Sequence, residues 1–131
     1  MAEISKEMKI VIIINVIVGL IFAFMYIIIP DTVAKMTDAP TYDPHATQVV
    51  GGSMLVLCIG GIIALKRNEW EGAKLLWEVV ILWGIITLIL NIVAVIAYPG
   101  SAVYIANMWF DIILLIVLII LNIYMYQREG K

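Results

Sequence analysis

This sequence has little charge. Only 14% of its 131 residues are Asp, Glu, Lys or Arg, while 64% are hydrophobic. A soluble domain carries roughly a quarter charged and about half apolar residues. A chain this short cannot bury so much apolar surface in a water-soluble core, so lipid must cover much of it. The net charge of -2 and the lack of a basic run or zinc-finger spacing argue against a nucleic-acid partner. A single cysteine, Cys58, excludes an internal disulfide and a CxxC redox pair. It falls in an apolar run and reads as a small buried or lipid-facing residue. A single histidine, His45, leaves a b-type haem without paired axial ligands. There is no HExxH, P-loop or Gly-rich dinucleotide fingerprint. Ser101 and His45 do not amount to a hydrolytic triad. His45 shares a polar loop with Asp38 and Asp43, where a solvated position is a plainer reading than a cation site. The residues therefore point to no enzyme, no cofactor and no metal site.

What remains is hydrocarbon in four blocks. Spans are expected at about Met8–Ile29, Pro44–Leu65, Gly72–Tyr98 and Ala102–Tyr126, because a helix needs roughly 20 apolar residues to cross a bilayer. In lipid the backbone must bond internally, so helices are the default. The alternation of a membrane barrel strand is absent. The first block is longer than a signal-peptide core and no small-x-small site closes it, so it is read as a span. Pro30 stops it. A short interfacial helix is expected at about 31–36, capped by Asp31 or Thr32. Asp43 and Pro44 read as the N-cap and first residue of span 2. "PGS" at 99–101 reads as a tight turn and "KRNEWE" at 66–71 as a short polar connection. No strong internal repeat is present. The expected fold is all-α: one integral membrane domain over 1–131, a four-transmembrane-helix up-down bundle.

Lys6, Lys9, Lys66, Arg67, Lys74, Arg128 and Lys131 flank one side of the spans and Lys35 the other. The positive-inside rule then puts both termini in the cytoplasm and loop 30–43 outside the plasma membrane. Tyr98, Tyr104 and Trp109 would form an outer aromatic belt, and Trp70, Trp77, Tyr124 and Tyr126 an inner one.

Polar residues inside the spans are the natural place to seek function. Asn15, Gly19, Phe22 and Tyr26 share one face of span 1, and Asn107, Asp111, Leu118 and Asn122 one face of span 4. Gly52, Val56, Gly60 and Ala64 form a small-residue stripe on span 2 that would allow close helix approach. By helical rise, Asp111 lies roughly 12 Å from the outer end of its span, Asn91 about 10 Å and Ser53 about 13 Å. These groups would share an outer layer, with Tyr26 nearer the surface. Asn15, Glu78 and Asn122 would form a second layer near the cytoplasm, although Lys74 is a natural i,i+4 partner for Glu78. An aspartate at a helix centre costs about 3 kcal/mol, and part of that survives at this depth. Asp111 is therefore expected to face the bundle interior.

The stretches "GLIFAFMYIIIPDTVAKM" (19–36) and "ATQVVGGSMLVLCIGGIIALKR" (46–67) give a first helix ending in Pro-acid, a short amphipathic piece and a Gly-rich second helix ending in basic residues. This pattern resembles the DoxX-like group of small four-helix membrane proteins. The resemblance implies the bundle fold and supplies no functional residues. The small multidrug transporters also have four short helices, but they rely on an acid in the first span, where this chain has Asn15.

Three functional readings follow. In the first, a lipid or small apolar ligand binds an outward-facing cleft, its polar end oriented by Asp111, Asn107, Asn91 and Ser53, with Tyr26, Trp83 and Phe22 as walls. In the second, Asp111 is the titrating group of a proton- or ion-coupled transporter or channel component. In the third, the chain is an accessory subunit in a homo-oligomer or larger membrane complex. The orientation has its own test. With a membrane-impermeant thiol reagent on intact cells, Asp38→Cys should label and Arg128→Cys should label only after permeabilisation; the reverse pattern would overturn it.

Overall fold

The computed structural model describes residues 2–98 and 100–130. Pro99 of the expected turn and Lys131 of the basic tail lie outside the described residues. Five helices follow one another: α1 (Lys6–Ile28), α2 (Pro30–Thr37), α3 (Pro44–Arg67), α4 (Trp70–Ala97) and α5 (Ala102–Glu129). All but α2 are long and apolar enough to cross a membrane. The described residues form no strand; one isolated bridge joins Glu3 to Glu69.

The helix ends follow local chemistry. Ser5 accepts from the Met8 N–H and starts α1 at Lys6. Asp43 accepts from the N–H groups of His45 and Ala46, with Pro44 at the first helical position of α3, where its missing N–H costs nothing. Ser101 accepts from the Tyr104 N–H at the start of α5. Neither Asp31 nor Thr32 caps α2; that helix begins one residue earlier, at Pro30, with Ile29 at the cap position and no side-chain cap. Asp31 instead accepts from the Tyr42 hydroxyl at 2.5 Å. The Gln48 amide donates to the Ile27 carbonyl at 3.1 Å, satisfying an orphan acceptor at the end of α1. Asp38 and Asn68 end α2 and α3 in the left-handed region, φ 51 and 54. Among residues with a side chain, Asp and Asn bear that conformation best.

The long helices associate as two close pairs, α1 with α3 and α4 with α5. Between the pairs α1 meets α5 and α3 meets α4, while α1 and α4, like α3 and α5, make no close backbone approach. The α1–α3 contact runs through Gly51, Cys58 and Gly61, all buried. A Cβ on Gly51 would lie 2.9 Å from atoms of Ile27 and Tyr26 and 3.2 Å from the Ala23 carbonyl oxygen. On Gly61 it would meet Val16 at 2.8 Å. The close face is thus offset from the expected stripe. Gly52 meets nothing and Val56 is 68% exposed, because one residue along a helix turns the side chain by about 100°. Gly60 packs against Leu76 of α4 instead.

The buried core is concentrated at the end where both termini lie. Ile4, Met8, Ile12, Ala64, Trp70, Ala73, Trp77 and Met125 form one cluster. The Trp70 N–H donates to the Ala2 carbonyl at 3.2 Å, the Ser5 hydroxyl bonds the Glu129 carboxylate, and Arg128 approaches Glu7 at 3.7 Å. These contacts gather the N-terminal segment, the α3–α4 connection and the end of α5. They also revise the inner aromatic belt. Trp70 and Trp77 are buried core residues, and Trp70 packs edge-on against Tyr126 with centroids 5.8 Å apart. Tyr124 is exposed, whereas Tyr104 of the supposed outer belt is buried. Its ring lies over Gly100, where a Cβ would collide with it. Along the remaining helix surfaces Ile, Leu and Val point outward, as a lipid-facing surface requires.

Gly51→Ala should lower stability by about 1–3 kcal/mol, the usual range for overpacking. Gly52→Ala, with open space around it, should be neutral or slightly stabilising. Unfolding midpoints of both variants in the same detergent check the assignment of the close face.

Candidate functional site

Between the α1–α3 and α4–α5 pairs lies a partly open cavity of about 270 Å³, lined by all four long helices. Its floor carries an amide knot. Asn15 and Asn122 donate to each other reciprocally, at 2.9 and 3.0 Å. Asn15 also donates to the Val11 carbonyl at 2.8 Å, and the Trp77 indole N–H donates to the Asn122 carbonyl at 3.2 Å. Every side chain of this layer has a partner. Below it the core is closed: Met8 is 0% exposed and Ile12 1%.

Above the floor the lining turns apolar, with Val16, Leu57, Val80, Leu115, Leu118 and Ile119. Gly19 leaves room for Cys58; a Cβ there would lie 2.5 Å from the sulfur. The Cys58 thiol points at the Val16 carbonyl, 3.6 Å away. Counted by helical rise from the amide layer, Phe22 and Trp83 lie about 10 Å further along α1 and α4. Tyr26 and Asp111 lie about 16 Å along α1 and α5. Phe22 and Tyr26 meet edge to face, centroids 6.0 Å apart and planes at 73°. Tyr26 and Asp111 line the same cavity from α1 and α5. Asn91 and Thr87 of α4 complete this outer part of the lining.

The outer groups differ from the floor in one respect. Among the described residues, the side chains of Tyr26, Trp83, Asn91 and Asp111 make no hydrogen bond. They converge on the cavity with their bonding capacity unspent.

Phe22, Tyr26, Trp83, Asn91 and Asp111 are thus brought to one cavity, and Ser53 and Asn107 are not. Ser53 is exposed on the outer surface of α3 and donates back to its own Val50 carbonyl at 2.7 Å. The cavity face of α3 runs through Val50, Met54, Leu57, Cys58 and Gly61, and Ser53 is about 100° from Met54. Asn107 lies at the edge of the α5 stripe and donates to the Val103 carbonyl at 2.9 Å. Glu78 is also reassigned. It accepts from the Tyr126 hydroxyl at 2.5 Å, and no Lys74–Glu78 ion pair forms among the described residues. Trp77 was hidden in the sequence because a tryptophan near a span end reads as a belt residue. Its seven-residue spacing from Gly84, and the further seven to Asn91, marks the cavity stripe of α4.

A second cavity of about 210 Å³ lies under α2, with Pro30, Val33, Thr37 and Tyr42 in its wall. Tyr26 and Val50 line both cavities. Partial burial, the bond to Asp31 and the charges of Asp31 and Asp43 push the Tyr42 phenol up to about 12. It therefore stays a donor to Asp31 well into the alkaline range. Asp38, Asp43 and His45 do not gather into a metal site among the described residues.

No family model matches this chain, and no curated protein or solved structure matches it. The site must be read from its own geometry.

The floor has a direct test. Asn15→Ala and Asn122→Ala should each destabilise the bundle, and the double variant should cost less than their sum. The coupling should be about 0.6–1.7 kcal/mol. Strict additivity in a double-mutant cycle would show that the amide pair does not tie α1 to α5.

Proposed function

We propose that this chain is a non-enzymatic integral membrane protein that binds a lipid or small apolar molecule in the cavity between its helix pairs. The observation that carries this is the contrast between the two polar layers. The floor amides satisfy one another. Tyr26, Trp83, Asn91 and Asp111 present unused donors and acceptors to a chamber whose wall between them and the floor is mostly apolar. Convergent polar groups above an apolar well are the usual form of a site for an amphiphile. All four residues are half-buried, so a ligand head entering the chamber can reach and bond them. In this reading the helices form an up-down bundle in the plasma membrane with cytoplasmic termini, and the α2 end of the cavity faces outward. The short helix after span 1 is also what the resemblance to the DoxX-like group implies, and membership of that group is part of the proposal.

Asp111 as the titrating group of a transporter is less well supported. A coupled path needs polar groups through the bundle. Here the stretch between Asp111 and the amide floor is apolar, and Met8, Ile12 and Trp77 close the far side.

Native mass spectrometry of the protein in mild detergent should find a small molecule retained at one per chain. Leu118→Trp, which fills the well, should lose that mass while keeping its helical circular dichroism. Retention of the same mass by a folded Leu118→Trp protein would overturn the proposal.

A further inference from the structure

We infer that the molecule held in this cavity carries a cationic head, an amine or quaternary ammonium, on an apolar body. The inference rests on the ligand-cavity reading above and adds the charge of the ligand. It comes from what the lining offers each kind of head group. Among the described lining residues the only carboxylate is Asp111, and there is no Lys, Arg or His. The cavity under α2 has no charged lining residue at all. The outer connection around it holds Asp31, Asp38 and Asp43 against Lys35. A phosphate, sulfate or carboxylate head would enter this chamber without a counter-charge, beside a fixed acid.

A cation meets the opposite conditions. A carboxylate at membrane depth is stable when it is paired, and the chain supplies Asp111 with no basic partner among the described residues. A ligand cation would be that partner. The rings of Phe22, Tyr26 and Trp83 line the same cavity. The edge-to-face contact of Phe22 with Tyr26 fixes one aromatic wall, and Trp83 lies on the other helix pair at the depth of Phe22. Aromatic faces attract cations through the ring quadrupole, and more strongly when water is excluded. A carboxylate combined with several rings is the chemistry that selects an alkylammonium over an alcohol of equal length. The apolar body would lie against Leu115, Leu118 and Ile119, in the roughly 16 Å between Asp111 and the amide floor.

The test uses three probes with one tail: dodecyltrimethylammonium, dodecanol and dodecanoate, added to the full-length protein in a neutral maltoside detergent. Binding is followed by tryptophan fluorescence and by adduct mass. The ammonium should bind about tenfold or more tighter than either other probe. Asp111→Asn, nearly the same shape, should lose most of that preference while still binding dodecanol. Trp83→Leu should reduce the preference in part, as the loss of one ring would. Equal binding of the three probes, or a preference for the ammonium that survives Asp111→Asn, would overturn the cationic head and leave the cavity reading standing. Binding of none of the three would overturn both.

Discussion

A reciprocal pair of amides holds this bundle in register. Asn15 and Asn122 stand 107 residues apart in sequence, on helices that otherwise touch lightly. Between apolar helices in lipid there is no hydrophobic driving force for association, since lipid tails are as apolar as leucine. What remains is close packing and hydrogen bonding. A side-chain amide can give and take at once, so the pair satisfies itself in a single geometry and fixes both the depth and the rotation of α1 against α5. The Trp77 indole then draws α4 onto the same layer. Tied on one side of that layer, the helices pack Met8, Ile12, Trp70 and Met125 into a closed core. On the other side the short helix α2 touches α5, but no comparable side-chain knot joins the pairs among the described residues, and the cavity is the space left between them.

Within each pair a different constraint operates. The α1–α3 contact depends on close approach, and a methyl group on Gly19, Gly51 or Gly61 would strike atoms of the facing helix. Gly51 is the strictest case, because Ala23 and Tyr26 cannot step aside. Gly84 of α4 faces only the side chain of Ile119, 3.1 Å from its would-be Cβ, and that contact is more forgiving. One pair is close and set by small residues; the other is looser and carries the bulky lining of the cavity. This asymmetry puts Phe22 and Tyr26 on the tighter scaffold and Asp111 on the more adjustable one.

Much of this was legible in the sequence. Hydropathy alone locates the four long helices, and Pro30, Asp43 and Pro44 mark helix boundaries through chemistry that acts within a few residues. Helical periodicity placed Phe22 and Tyr26 on one face and Asp111 and Asn122 on one face, and rise per residue put Asp111 and Asn91 in the half of the bundle away from the termini. What the pattern could not supply was helix rotation. Two glycine registers on α3 differ by a single residue and look alike in sequence, yet the one through Gly51, Cys58 and Gly61 makes the close approach to α1, and of the expected stripe only Ala64 is buried. The same ambiguity made Ser53 a site residue by depth while its direction is wrong. Trp70 and Trp77 sat near a span end and read as belt residues. Their burial follows from the N-terminal segment folding over them, a contact between distant parts of the chain.

The position of the closed core also decides how the cavity can be reached. Water and polar solutes on the side of the termini meet Met8, Ile12 and Trp77, none more than 3% exposed, and then the amide knot. Passage there would require breaking a satisfied polar layer and a packed apolar one together. At the other end the wall is thinner. Tyr26 and Val50 separate the main cavity from the one under α2, and α2 is a helix of only 8 residues held by its contacts with α1, α3 and α5. The seams between the pairs are the other weak boundary, because α1–α5 and α3–α4 approach less closely than either pair does internally. On the proposed reading, a molecule with a polar head and an apolar body would suit both routes, its body staying in hydrocarbon while its head moves toward Asp111. The floor offers no comparable route, because a satisfied amide layer and a packed apolar core lie there together.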